Sequence, residues 1–259
     1  MRIFMFLAGL LVLSGCQTTG GSAPSGPGGV EQSWAFARVV IPASRLRGPK
    51  SMEVAIWADP DHWQDAVHAR FRVPEDRVPA VIYLHGCAGL PPNAAFVDFL
   101  VGQGFAVFAP NSFGRSGRQS RCYAQKGTPI FRFRAEETAH ALARLREIRW
   151  VDPANIVLVG HSEGGEAAAR WSGDGFRAIV ISGADCSHER RAGVPLAPDA
   201  VPVLAIIGAK DHREWPGCTI RGRSAPSKAV IIPDAGHAVY KTPEGQREIA
   251  NFLRACCGG

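Results

Sequence analysis

The chain has 259 residues, 46% hydrophobic and 20% charged, with a formal net charge of +6. That balance fits one globular domain and excludes wholesale disorder. No run of five like charges and no aromatic-basic stripe occurs, which argues against nucleic-acid binding.

The first expected element is a targeting segment. Arg2 precedes an uncharged apolar run, Ile3 to Leu13, too short to span a bilayer but of the length of a signal-peptide core. The stretch Leu13-Ser14-Gly15-Cys16 resembles the lipobox of bacterial lipoproteins. The resemblance implies that residues 1–15 are removed and that Cys16 is lipidated and anchors the chain to the envelope membrane. Gln17 rather than Asp follows Cys16, which by the same analogy points to the outer membrane. Residues 16–29 are rich in Gly, Ser and Pro and read as a tether, with a root-mean-square span of roughly 20 Å. A single domain is expected over residues 30–259.

Within it, apolar runs alternate with helix-like segments. Strands are predicted at Val39–Ala43 and Met52–Asp59, as an antiparallel entry hairpin or meander, and at Ala80–His85 and Phe105–Pro110. A helix is predicted over Asn93–Gly102. A longer one, Phe133–Arg149, carries Ala135, Ala139, Leu142, Leu145 and Ile148 at the helical period, with Arg and Glu opposite. There follow strand Ile156–Gly160, helix Glu163–Trp171, and strands Ala178–Ser182, Val201–Gly208 and Ala229–Pro233. Helix Glu244–Cys256 closes the chain. This order predicts an α/β fold with a mostly parallel central sheet covered on both faces and a minimal lid.

Candidate chemistry falls at the carboxyl ends of those strands, where open parallel sheets bind ligands. Gly160-His161-Ser162-Glu163-Gly164 is a Gly-x-Ser-x-Gly pattern between a strand and a small-residue helix, the setting of a strained turn that exposes a nucleophilic serine. A hydroxyl nucleophile needs a base, and His237 follows the last strand. His161 adjoins Ser162, but a sharp turn points the two side chains apart. The base needs a carboxylate. Asp211 is preferred and Asp185 is the alternative, with Asp234 read as a turn residue. The backbone N–H groups of Cys87, in His85-Gly86-Cys87-Ala88-Gly89, and of Glu163 are the expected oxyanion donors. His85 reads as structural. No spacing suggests zinc. The pairing of Cys87, Cys122, Cys186, Cys218, Cys256 and Cys257 is open.

The segments HGCAGL, APNSFGR, VGHSEGG, GAKD and DAGHAVYK together resemble the dienelactone hydrolase family of the α/β-hydrolase fold, over roughly Pro79 to Arg254. The resemblance implies hydrolysis of a small-molecule ester or lactone, without metal or cofactor. Two departures stand out: Ser162 replaces the family enzyme's cysteine nucleophile, and Gly86 occupies the position of its neighbouring glutamate. Both imply an ordinary serine esterase. The enzyme's two substrate-carboxylate arginines match Arg115 and Lys241, which implies an anionic acyl group, with Arg118 and Arg121 able to add to it. Alternatives are a peptidase of this fold and a non-catalytic envelope scaffold.

Overall fold

The computed structural model describes residues 29–75, 77–91, 94–118, 122, 129–186, 193–211 and 217–257. Cys16, Arg121 and His212 lie outside the described residues, as does the first residue of the helix predicted from Asn93.

Eight strands form one sheet: β1 (Arg38–Ile41), β2 (Met52–Ala55), β3 (Val78–Leu84), β4 (Ala106–Ala109), β5 (Val151–His161), β6 (Ala178–Ser182), β7 (Val203–Gly208) and β8 (Lys228–Ile232). Their spatial order is β2-β1-β4-β3-β5-β6-β7-β8. β1 is antiparallel to both β2 and β4, and every other pairing is parallel. The expected entry hairpin is therefore present. Its second strand stops at Ala55, because a 3-10 turn occupies Ile56–Ala58.

The central strands carry continuous apolar runs, such as Ile156–Val159 of β5 and Ala178–Ile181 of β6, because both faces are covered. Alternate residues point to opposite sides. Ile82, Leu84 and Leu158 meet one core, Val81, Tyr83, Val157 and Val159 the other. On the first side lie α1 (Val30–Ala35), α2 (Trp63–His68), α4 (Ile130–Glu147) and α5 (Glu163–Ala169). On the second lie α3 (Ala95–Gly102) and α6 (Pro243–Cys257). The short helices α1 and α2 were not legible in the sequence. Each contributes a buried tryptophan: Trp34 stacks on Phe108 at 5.8 Å between ring centroids, and Trp63 meets Trp150 edge-on at 6.2 Å.

One expectation fails in α4. The helix exists, but its inward face is Ile130, Arg134, Glu137, Thr138, Ala141, Leu142 and Leu145. Ala135 and Ala139, predicted to face the core, are exposed. The helix is rotated so that two charged side chains point inward, and their partners are in the site below.

Two disulfides join loops at the carboxyl end of the sheet, Cys87–Cys122 and Cys186–Cys218. Cys256 and Cys257 are free thiols, with 3.1 Å between their sulfurs.

Candidate active site

β5 runs into α5 through a single residue, Ser162. Its backbone has φ 57° and ψ −121°, and it is the one non-glycine residue with positive φ among those described. An L side chain in that conformation is strained and persists only when its surroundings hold it. Here the turn is held by close backbone approach. A Cβ on Gly160 would lie 2.0 Å from the Gly164 carbonyl oxygen, and one on Gly164 would lie 2.0 Å from that of Leu84. The Ser162 N–H donates to the Ser182 carbonyl at 2.9 Å, and the Ser162 carbonyl accepts from Glu166 N–H at 2.9 Å. The two glycines of the motif are therefore dictated by packing of the turn, as the pattern predicts.

Asp211 follows β7 and His237 follows β8. Their side chains meet: His237 Nδ1 is 2.6 Å from Asp211 Oδ2. The aspartate is buried, with its side chain 2% exposed against 22% for the histidine. A carboxylate there accepts the Nδ1 proton and leaves Nε2 as the basic nitrogen. Asp185, the alternative, is also buried, beyond β6. Asp234 is exposed and pairs with Lys210 at 2.8 Å, which holds its carboxyl below the usual range. His161 lies against the His237 ring, centroids 4.8 Å apart, and edge-on to Tyr240 at 4.9 Å.

The loop after β3 carries His85, Gly86 and Cys87. His85 is buried, and desolvation together with the nearby Arg134 cation lowers its pKa well below the ordinary histidine value. Its Nε2 accepts from Ser112 N–H at 3.2 Å, which leaves the proton on Nδ1, 2.8 Å from the Gly86 carbonyl. This neutral ring shapes the loop. The loop is also tied at Cys87 by its disulfide to Cys122.

Beneath the elbow is a buried polar cluster that the sequence did not reveal. Arg134 Nη2 donates to Glu163 Oε1 at 2.9 Å and to the His85 carbonyl at 2.7 Å, and its Nε reaches Glu163 Oε1 at 3.1 Å. Arg118 also donates to Glu163, and through Nε to Ser112 Oγ at 2.9 Å. Ser112 Oγ in turn donates to Glu137 Oε1 at 2.8 Å. Both guanidiniums and both carboxylates are almost wholly buried. Two cations and two anions balance, as burial of charge requires. Desolvation raises the Glu137 pKa and lowers that of Arg118. Arg134 thus links the two segments expected to carry the oxyanion donors, the His85–Cys87 loop and Glu163. The Glu163 carboxylate faces this cluster. The only trace in the sequence was a second helical phase, Arg134, Thr138, Ala141 and Leu145, which a hydrophobicity count discards because it contains charge.

Arg115 is engaged by its neighbours. Its guanidinium pairs with Glu136 at 2.6 Å, donates to the Phe133 carbonyl at 3.1 Å and packs over the Phe133 ring at 4.3 Å. Lys241 is exposed, in the 3-10 turn Val239–Lys241 that follows His237. Arg118 faces Glu163 and is likewise committed. Among the described residues, no group of three or more His, Cys, Asp or Glu side chains is placed to hold a metal ion.

A mostly parallel eight-stranded sheet, helices on both faces and a serine at the β5–α5 elbow define an α/β-hydrolase fold. Solved structures share it. A Klebsiella pneumoniae protein assigned as a dienelactone hydrolase superposes with TM-score 0.52 at 18% identity, covering 72% of this chain and 89% of its own. Esterase PE8 superposes with TM-score 0.50 at 19% identity, covering 69% and 93%. The chain belongs to the dienelactone hydrolase family, whose sequence pattern matches residues 65–246. The uncharacterized protein YfhR of Escherichia coli K12 is 25% identical over 191 residues, 63% of this chain, and the match spans 64% of that relative's length.

Proposed function

We propose that this chain is a serine hydrolase of carboxylic esters or lactones. The carrying observation is the His237–Asp211 pair at 2.6 Å on the two strand ends that follow a strained Ser162 elbow. Family membership supports an ester-type hydrolase. In the proposed reaction His237 Nε2 takes the Ser162 Oγ proton as that oxygen attacks the ester carbonyl carbon. Asp211 keeps the proton of Nδ1 in place and stabilises the imidazolium. The oxyanion lies between the backbone N–H groups of Glu163 and Cys87. The alcohol leaves with the proton held by His237, and water, deprotonated by the same ring, releases the acid.

The family's anionic-substrate preference has less support here. Arg115 and Arg118 are already paired, so among the described residues such a preference rests on Lys241. Lipidation of Cys16 and residence at the periplasmic face of the outer membrane are part of the same proposal. The two disulfides support an oxidising compartment.

A fluorophosphonate probe is expected to label the wild type and not Ser162→Ala, and that variant should lose about a thousandfold or more in kcat. Wild-type turnover in Ser162→Ala would overturn the mechanism. Metabolic labelling with a fatty acid is expected to mark the chain and to be lost in Cys16→Ala; equal labelling of both would remove the anchor.

A further inference from the structure

At the amino end of the sheet, opposite the Ser162 end, lies a cavity of about 360 Å³, within the range of small-ligand sites. The approaches to β3 and β4, the start of β5 and the end of α6 wall it. Arg45, Arg77 and Arg254 line it against one carboxylate, Asp152. That carboxylate is engaged by Asn155 Nδ2 at 2.7 Å and Ala154 N–H at 3.0 Å. Arg77 and Arg254 form no ion pair among the described residues, and Arg254 bonds the neutral Asn251 Oδ1 at 2.6 Å. Cys257 belongs to the same wall.

Cys256 and Cys257 close α6 as a pair of free thiols, whereas Cys87, Cys122, Cys186 and Cys218 are bridged. Their sulfurs are 3.1 Å apart and share a hydrogen bond. The bond from the Cys257 thiol holds the Cys256 thiol below its ordinary pKa against the opposing effect of burial, and the Arg177 cation adds to this. Arg177 is fixed there by its Nε, which donates to the Cys256 carbonyl at 2.6 Å. The cation offsets the unfavourable field that a helix C-terminus imposes on negative charge. Adjacent residues lie about 3.8 Å apart between Cα atoms across a trans peptide, whereas disulfides ordinarily need about 4.4 Å or more. A bond between these two sulfurs is therefore strained, and strained disulfides are readily reduced again.

We propose that Cys256 and Cys257 are a dithiol site that exchanges with a small anionic disulfide admitted to this cavity. The two sulfurs share one proton. With that proton on Cys256, the Cys257 thiolate attacks one sulfur of the ligand. A Cys257–sulfur bond forms, the ligand's disulfide bond breaks, and the first small thiolate leaves. Cys256 then gives its proton to water and attacks Cys257 Sγ. The Cys256–Cys257 bond forms and the second small thiolate leaves. The dithiol is oxidised to a disulfide, and the ligand is reduced to two thiols. Cys257 attacks first because it lines the cavity, whereas Cys256 is only 5% exposed. Arg77 and Arg254 favour an anionic ligand over a neutral one. The strained product returns to the dithiol by the reverse exchange with a small thiol. Neither hydrolysis at Ser162 nor an anchor at Cys16 enters these steps, so the site stands apart from the reading above.

The test uses the full chain carrying Cys16→Ala, with its disulfides intact, and the dianionic probe dithiobis(nitrobenzoate). The folded chain is expected to release two nitrothiobenzoates and to retain none by mass spectrometry, with the mass of a new internal disulfide. Cys256→Ser should release one and keep one as an adduct at Cys257. Cys257→Ser should react at least about tenfold more slowly, because the remaining thiol is buried. Arg77→Gln/Arg254→Gln should slow the reaction about tenfold with this probe and leave the neutral probe dithiodipyridine unaffected. All variants should keep the wild-type circular dichroism spectrum. A folded parent chain that retains an adduct on each cysteine, or that reacts only after unfolding, overturns the proposal whatever the variants do. Arginine variants that slow both probes equally, or neither, overturn the choice of an anionic ligand.

Discussion

At the carboxyl end of the sheet, Arg118 and Arg134 are wholly buried and face Glu137 and Glu163. At the amino end, Arg47, Arg70 and Arg72 are exposed and face one another. The same residue type serves opposite physical ends. In the first region low dielectric makes every uncompensated charge expensive, so the arginines are matched one for one and spend their donors on Glu163, Ser112 and the His85 carbonyl. In the second, water and salt screen the repulsion, so the arginines can remain uncompensated at modest cost. Buried charge there fixes geometry, whereas exposed charge is available to a partner.

The largest contrast is in stability. Arg134→Met removes the cation that neutralises Glu163 and Glu137, and it should destabilise the fold by about 3–5 kcal/mol in urea unfolding. Arg134→Met with unchanged stability would mean that the cluster is already solvated. The next effect is on pH dependence. His85 is held neutral because its pKa is lowered in the folded state, whereas the unfolded chain takes up that proton at the ordinary value. Stability is therefore full above about pH 6.5 and falls by up to about 1.4 kcal/mol per pH unit as pH drops below it, down to the folded pKa. His85→Gln offers a carbonyl in place of the Nε2 acceptor and cannot titrate, so it should flatten that slope in unfolding curves taken between pH 7 and 5. The half-buried His140, also lowered by desolvation, leaves a smaller residual slope. The smallest effect belongs to the amino end. Arg47→Gln/Arg70→Gln should shift stability by no more than about 0.5 kcal/mol, upward in sign because repulsion is relieved. A loss of several kcal/mol would show that these arginines are structural.

Much of the catalytic end was legible from residues near one another in the chain. The Gly160–Gly164 pattern, the strands before Asp211 and His237 and the His85–Gly89 loop were each read locally, and the structure pairs Asp211 with His237. Arg115 was placed by resemblance to a substrate-binding residue, but Glu136 and Phe133 take its guanidinium. The α4 face was misread. Hydrophobic periodicity assigns charge to water, and Arg134 and Glu137 are buried only because Glu163, Ser112 and the His85 carbonyl, distant in sequence, arrive to meet them. Neither α1 nor α2 has the length for a clear period, and both are held by tryptophans packed into the core.

The sequence by itself determined what depends on local order: the alternation that makes a covered parallel sheet, the small residues without which the Ser162 turn cannot close, and the chain order Ser162, Asp211, His237. Only the tertiary structure decided what depends on meetings between distant segments. It joined Cys87 to Cys122 and Cys186 to Cys218, put Glu163 between Arg118 and Arg134, and laid Arg45–Arg47 beside Arg70–Arg72. A pattern two or four residues long reports the period of its own backbone, but the worth of a charge depends on the dielectric and the partners around it, and those are set only when the chain has folded.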